Sequence, residues 1–453
     1  MAKTTTDSNR DLDLAHLWHQ NLQHRNLADR PPLEIVRGAG YCVYDAEDRH
    51  YIDAMAGLFC VNVGYGRQQI VAAAAQQMAE LSYYPLTQSH GPGARLAARL
   101  AGLLPQELNR VYFLNSGSEA VETALKMARQ YGRLAHPGQN RYKFIARHRG
   151  YHGFTFGAMS ATGQIARKQA FEPLVPGFYH VPPPDPYRCG FCRAESACNL
   201  GCADEIERVI RMEGSETVAA VIAEPVIGGG GIFPAPDGYL ERLREICDRH
   251  GALLILDEVI TGFGRTGKLW GFEHSSIRPD ILTVAKGITS AYLPLAACIT
   301  GDKIFEAFQG HAGADDPKFT QVSTFGGHPV SCAAALANLD ILTGERLWEN
   351  SARMGAWLLD RLRALDSPSI GEVRGRGLLL GLELVSDRAT RAPLPEAEMI
   401  RLVKAMRDQG VLVGRNNDTV PGFSNVMILS PPLTLDQAGA DKIAEALEAV
   451  LPR

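Results

Sequence analysis

Between residues 110 and 284 the chain repeats one pattern: a short apolar run, a turn, then a stretch with apolar residues three and four apart. The runs are Arg110–Leu114, Lys143–Ala146, Val218–Ala223, Ala252–Leu256 and Ile281–Val284. Most show no polar alternation, as expected of strands buried on both faces of a parallel sheet, and the periodic stretches suit the helices that cover it. Residues 67–335 are therefore predicted to form a large α/β domain with a mixed, mostly parallel sheet. Tyr41–Tyr44 and His50–Asp53 alternate around Ala46-Glu47-Asp48, which predicts a hairpin within an N-terminal segment, 1–66, expected to join a smaller domain. From residue 336 onward come a long helical pattern, a strand in GEVRGRGLLLGLELV, a helix over Glu396–Gln409, a strand and a last helix after Thr434. They predict a small α+β domain over 336–453. The Pro-rich VPPPDPYRC opens a surface excursion, 181–203, before a helix at Asp204.

Composition narrows the class without naming it. A chain of 453 residues suffices for two or three domains, and 45% hydrophobic with 21% charged residues is ordinary for a globular protein. A net charge of −4 argues against a nucleic-acid or anionic-membrane partner. No apolar run is long enough to span a bilayer, and MAKTTTDSNRDLDLAHLW reads as a polar tail, not an export signal. Nine cysteines without such a signal point to a reducing compartment, so a cytoplasmic protein is expected.

The chemistry concentrates where the runs end. Asp257 closes one run and Lys286 follows the next, so both are expected at the carboxyl edge of the sheet, where ligands bind in such folds. A carboxylate and an amine in one crevice suit pyridoxal 5'-phosphate, the acid holding the pyridine nitrogen protonated and the lysine forming the Schiff base. A core ion pair between the two is the alternative. Asn115-Ser116-Gly117-Ser118-Glu119 follows a run and opens a helix. Ser116 and Glu119 have capping-box spacing, and a glycine at a helix start lets backbone N–H groups approach a phosphate. Tyr151 and His152 follow another strand and could face a planar ring, or be a core tyrosine and a surface histidine. Glu224 ends the strand before Pro225 and the glycines at 228–231, and Thr324 stands just before a helix start near Pro329.

Together these residues resemble class III pyridoxal-phosphate-dependent aminotransferases, the ω-aminotransferases of the aspartate aminotransferase fold (fold type I). AMAGLFCVNVGYG, FLNSGSEAVETALKMARQY, YHG, AEPV, LDEVITGFGRTGK, VAKG and TFGGHPVSCAAAL carry the resemblance, in the family's order and across nearly the whole chain. It implies that Lys286 and Asp257 are catalytic. It implies that Ser116, Gly117 and Ser118 hold the phosphate, that Tyr151 stacks on the ring, and that His152, Glu224 and Val259 complete the cofactor site. Thr324 would reach the phosphate of a neighbouring subunit, making the protein a homodimer with shared sites, or a tetramer. Phe59 stands where relatives usually carry a Trp lining the substrate pocket. The activity implied is ping-pong transfer from an amine donor to a keto acid such as pyruvate. An aminomutase, racemase or decarboxylating transaminase would use the same residues. Within the family, LWHQNLQHRNLADRPPL, YYPLTQSHGPGARLA and ATGQIARKQAFEPLVPGFYHVPPPDPYRC resemble taurine–pyruvate aminotransferases most, which points to taurine, β-alanine, a diamine or a similar donor. Many relatives bind the acceptor's carboxylate with an arginine before Ser-Pro-Pro-Leu. Here GVLVGRNNDTVPGFSNVMILSPPL puts Gly414 or Arg415 at that place, Arg415 being either the clamp or a solvated loop residue.

One cluster lies outside this scheme. Cys189, Cys192, Cys198 and Cys202 crowd one excursion, and four thiolates at that spacing can close around zinc or a [4Fe–4S] cluster. The alternative is a set of unligated thiols packed under a loop.

Overall fold

A computed structural model of the chain describes residues 8–29, 31–192, 198–310, 316–416 and 419–452. Its centre is a seven-stranded sheet. The spatial order is Arg110–Leu114, Ala296–Thr300, Ile281–Val284, Leu253–Asp257, Val218–Ala223, Lys143–Arg147 and Phe178–Val181. Only Ala296–Thr300 runs against its neighbours, pairing antiparallel with Ile281–Val284 and Arg110–Leu114. The sheet is thus mixed and mostly parallel, as expected. Every residue of Val218–Ala223 and Leu253–Asp257 is buried, which is why neither run alternates.

Helices close both faces. Gly117–Ala135 lays Ala120, Val121, Ala124 and Ala128 on the side presented by Phe144, Ala220, Ile255 and Ile281. Gly201–Glu213 and Tyr239–His250 bring Ile206, Ile210, Leu243 and Ile246 to the other, with Ile145, Val221, Leu254 and Leu256. Alternate residues of each central strand therefore enter separate cores. Each fully buried Leu or Ile contributes roughly 1.5–3 kcal/mol.

The C-terminal part holds an antiparallel sheet of Ile370–Gly375, Leu380–Asp387, Val426–Leu429 and Gly414–Arg415. The helices Leu347–Arg363, Glu396–Asp408 and Gln437–Val450 pack with it. GEVRGRGLLLGLELV forms two strands of this sheet where one was expected, because Arg376–Leu379 makes a tight reversal. The N-terminal hairpin has a third strand, Ile35–Ala39, and His50–Asp53 pairs parallel with Val411–Leu412. Residues from both ends of the sequence thus share one sheet. Among the described residues no helix is long and apolar enough to cross a membrane.

Candidate active site

Because six strands of the central sheet point the same way, their carboxyl ends form one edge, and the chemically distinctive residues collect there. Asp257 is the last residue of its strand and lies opposite Thr283 on the next. Its carboxylate, 4% exposed, is fixed by three donors. His152 Nδ1 lies 2.8 Å from Oδ2, the Thr283 hydroxyl donates to Oδ1 at 3.2 Å, and the Val259 N–H donates to Oδ1 at 3.1 Å. Lys286 follows Val284 by two residues and adopts φ 43°, a conformation disfavoured for any side chain beyond glycine. Asn338 Nδ2 pins that turn by donating to the carbonyls of Gly287 and Ile288 at 2.9 and 3.0 Å. The Lys286 amine makes no hydrogen bond or ion pair with any described residue. The core ion pair between Asp257 and Lys286 is therefore not formed: the aspartate is taken by His152 and the amine is free.

Around these two the remaining residues form walls. Ser116 caps Gly117–Ala135, its hydroxyl accepting from the Glu119 N–H at 3.2 Å. Glu119 reaches back past Ser116 to the Asn115 N–H at 2.8 Å, so only half of the expected capping box forms. Gly117 passes so close to Val259 that a Cβ there would sit 2.9 Å from Val259 Cγ1. That contact leaves the N–H groups of the helix start uncovered beside the strand edge, a cradle for a phosphate. Ser118 accepts from the Phe154 N–H at 3.1 Å, tying the YHG segment to the same helix. Glu224, 3% exposed, accepts from the Tyr151 N–H at 3.2 Å and the Gly228 N–H at 2.9 Å, and burial pushes its carboxyl upward. Burial also raises the Tyr151 phenol, whose ring lies 5.4 Å from the Arg167 guanidinium. Phe59 is packed with Val226, Ile232, Leu379, Val426 and Ile428, next to Ile260. Thr324 is exposed on a segment whose Ser323 meets Asn115 at 3.2 Å. Arg415 does not join the group directly, since Glu396 holds its guanidinium at 2.8 Å while Gly414 packs against Met55.

Three features of this edge fit pyridoxal phosphate: an unpaired lysine, the buried and unpartnered His152 Nε2 next to a fixed carboxylate, and a glycine-floored helix start. Thr283, Asn338 and Thr162, which accepts from the His152 N–H at 2.9 Å, were not expected from the sequence. Only the strand register places Thr283 beside Asp257. Glu258 is a further surprise. It is fully buried, holds the Gly271 and Phe272 N–H groups and the Thr261 hydroxyl, and is pushed up to about 7 by burial.

The metal centre expected at Cys189, Cys192, Cys198 and Cys202 finds no support in the arrangement of the described residues. Among the described residues no group of three or more His, Cys, Asp or Glu is placed to hold a metal. The Cys192 and Cys198 sulfurs are 3.9 Å apart, but Cys192 turns to Asn199 Oδ1 at 3.2 Å. Cys202 is drawn into the core by its helix, where burial and the neighbouring thiols push it up to about 12.

A parallel-sheet edge with this lysine, this carboxylate and this phosphate cradle defines a fold-type-I, pyridoxal-phosphate-dependent transferase. The chain belongs to the class III aminotransferases, whose family model matches residues 24–451. An uncharacterized aminotransferase of Bacillus subtilis is 49% identical over 437 residues, which cover 96% of this chain and 95% of that protein. A taurine–pyruvate aminotransferase of Bilophila wadsworthia is 42% identical over 442 residues, with 96% and 95% coverage. A solved aminotransferase structure from Bacillus anthracis matches with a TM-score of 0.94 at 43% identity, over 99% of both chains. The protein is an aminotransferase, and its family works with pyridoxal phosphate.

Proposed function

We propose that this aminotransferase moves the amino group of an ω-amino compound, with taurine and β-alanine as the leading donors, to pyruvate. Bound at the sheet edge, pyridoxal phosphate supplies the electron sink that such chemistry needs. Ser116, Gly117 and Ser118 would hold its phosphate, Tyr151 and Val259 would flank the ring, and Asp257 would keep a proton on the pyridine nitrogen. Lys286 would anchor the cofactor covalently. With its Nζ free, Lys286 would take the proton from the substrate carbon that bears nitrogen and pass it to the cofactor, so that the amino group stays behind. Glu224 orders the Tyr151 backbone beside the ring. The observation that carries this assignment is the fixed, triply bonded Asp257 at the same edge as an amine without a partner.

The choice of donor rests on the 42% identity to a taurine–pyruvate aminotransferase and on the three sequence stretches already described. Phe59 forms the apolar wall of the donor pocket. Arg415 serves the acceptor's carboxylate only after leaving Glu396. We also propose a homodimer acting in the cytoplasm. Val322 and Phe325, 73% and 58% exposed, flank Thr324 with apolar surface that a second copy would cover, carrying the threonine towards the partner's phosphate. A donor panel scored by alanine formed from pyruvate tests the reading. Taurine or β-alanine should outpace aspartate and glutamate. Fast aspartate or glutamate turnover with both ω-donors inert would refute it.

A further inference from the structure

The loop that presents Phe59 is held in a disfavoured shape, and the group that holds it lies outside the cofactor site. Ala56, Gly57 and Phe59 have φ of 47°, 67° and 62°, so two residues other than glycine occupy the left-handed region within one short turn. Such a shape persists only where its surroundings over-determine it. Here the over-determination comes from Asp53, the last residue of His50–Asp53, 4% exposed. Its Oδ1 accepts from the Met55 N–H at 3.0 Å. Its Oδ2 accepts from the Gly57 N–H and from the Tyr65 hydroxyl, both at 2.6 Å. Tyr65 is itself wedged, since it bridges to Gly40 through both backbone groups and a Cβ on Gly38 would meet its ring at 2.6 Å. From the far side the Ser430 N–H holds the Ala54 carbonyl at 2.6 Å, and Met55 lies against Gly414.

We infer that Asp53 and Tyr65 are a positioning pair that sets the shape of the donor pocket by locking the Met55–Phe59 turn. The inference rests on the proposed reading of Phe59 as pocket wall and adds what keeps that wall in place. The pair does no chemistry. It turns one carboxylate into three fixed points, so that Phe59 enters the Val226, Ile232, Leu379 and Val426 cluster instead of swinging out beside Leu58, which is 64% exposed. In Asp53→Asn an amide NH2 replaces one oxygen, so the Gly57 or the Met55 N–H must face a donor in either orientation. Tyr65→Phe removes a single donor, leaves the carboxylate, and guards against a misfolded Asp53 variant.

Two measurements decide the matter. In the apoenzyme and the holoenzyme, hydrogen exchange should rise in peptides spanning residues 54–60 for both variants, more for Asp53→Asn, while peptides around Asp257 and Lys286 stay protected. With pyruvate as acceptor, the kcat/KM ratio of compact β-alanine to bulky 1-phenylethylamine should fall by about tenfold in Asp53→Asn and by less in Tyr65→Phe, as expected when a pocket wall loosens. A role confined to global stability would lower both donors alike and leave the ratio fixed. Unchanged exchange at 54–60, or an unchanged ratio in an active, folded variant, would overturn the inference. Exchange needs no substrate, so a wild type inert towards every ω-donor would count against the proposed donor class and leave the test of the loop standing.

Discussion

Replacing Asp257 by Asn probes the centre of the site with the least change of shape. Three donors converge on this carboxylate: His152 Nδ1 at 2.8 Å, the Val259 N–H at 3.1 Å and the Thr283 hydroxyl at 3.2 Å. Together they fix the direction in which its charge acts. The amide loses that charge and presents an NH2 to at least one of the same donors. An opposite-charge pair about 4 Å apart, at an effective dielectric near 20, is worth roughly 4 kcal/mol. The amide dipole recovers part of this, which leaves about 3 kcal/mol of lost stabilisation, and each 1.4 kcal/mol is about a tenfold change in rate. Turnover in the variant is therefore expected to fall by at least about 100-fold. The assay is alanine formation from pyruvate at saturating donor, with cofactor occupancy followed by absorbance. His152→Gln acts through the same oxygen, so the double variant should lose much less than the product of the two single losses. A fully loaded Asp257→Asn enzyme within about threefold of wild type would show that the carboxylate only braces the strand end.

Borohydride treatment of the holoenzyme should fix the cofactor on Lys286 alone, and Lys286→Ala should bind pyridoxal phosphate weakly without turnover. A label on another lysine, read by mass spectrometry, would refute the assignment. Glu258 bears on stability. Its acid is raised from an ordinary 4.5 to about 7, so its stabilising contribution is complete below the unfolded value and is lost as pH rises through about 7. At 1.36 kcal/mol per pH unit the loss is on the order of 3 kcal/mol. Chemical denaturation across pH 4.5 to 8 should show wild-type stability falling relative to Glu258→Gln over that window, and parallel curves would count against it.

That Asp257 and Lys286 share one sheet edge was legible because its signal is local. Asp257 ends one apolar run and Lys286 comes just after the next, and strand direction does the rest. The partners of Asp257 were not legible in their roles. His152 stands 105 residues away and was placed in the cofactor site by resemblance but not against the acid, while Thr283 is one more residue of an all-buried strand until the register sets it opposite the acid. The reversed strand Ala296–Thr300 also escaped notice, because AACIT is short and apolar and carries no mark of direction. The four cysteines stay open for a related reason: spacing along the chain permits a metal cage but does not fix how the thiols face one another, and Cys202 lies buried on its helix. Tyr65 sat inside a motif read for its Phe and Asp53 closed the strand just before it, and neither gave a hint that one held the other.

The parallel pairing of Ile52 with Val411 has a consequence for the order of events during synthesis. At about 5–20 residues per second, the ribosome releases Val411 roughly 20–70 s after the hairpin that awaits it. During that interval the strand His50–Asp53 has an open edge, an invitation to wrong partners that chaperones commonly shield. The turn bearing Phe59 hangs from that same strand. Its final shape is thus among the last features of the nascent chain to settle, and mutations at Val411 or Leu412 should show up first as poor yield, before any change in the enzyme that does mature.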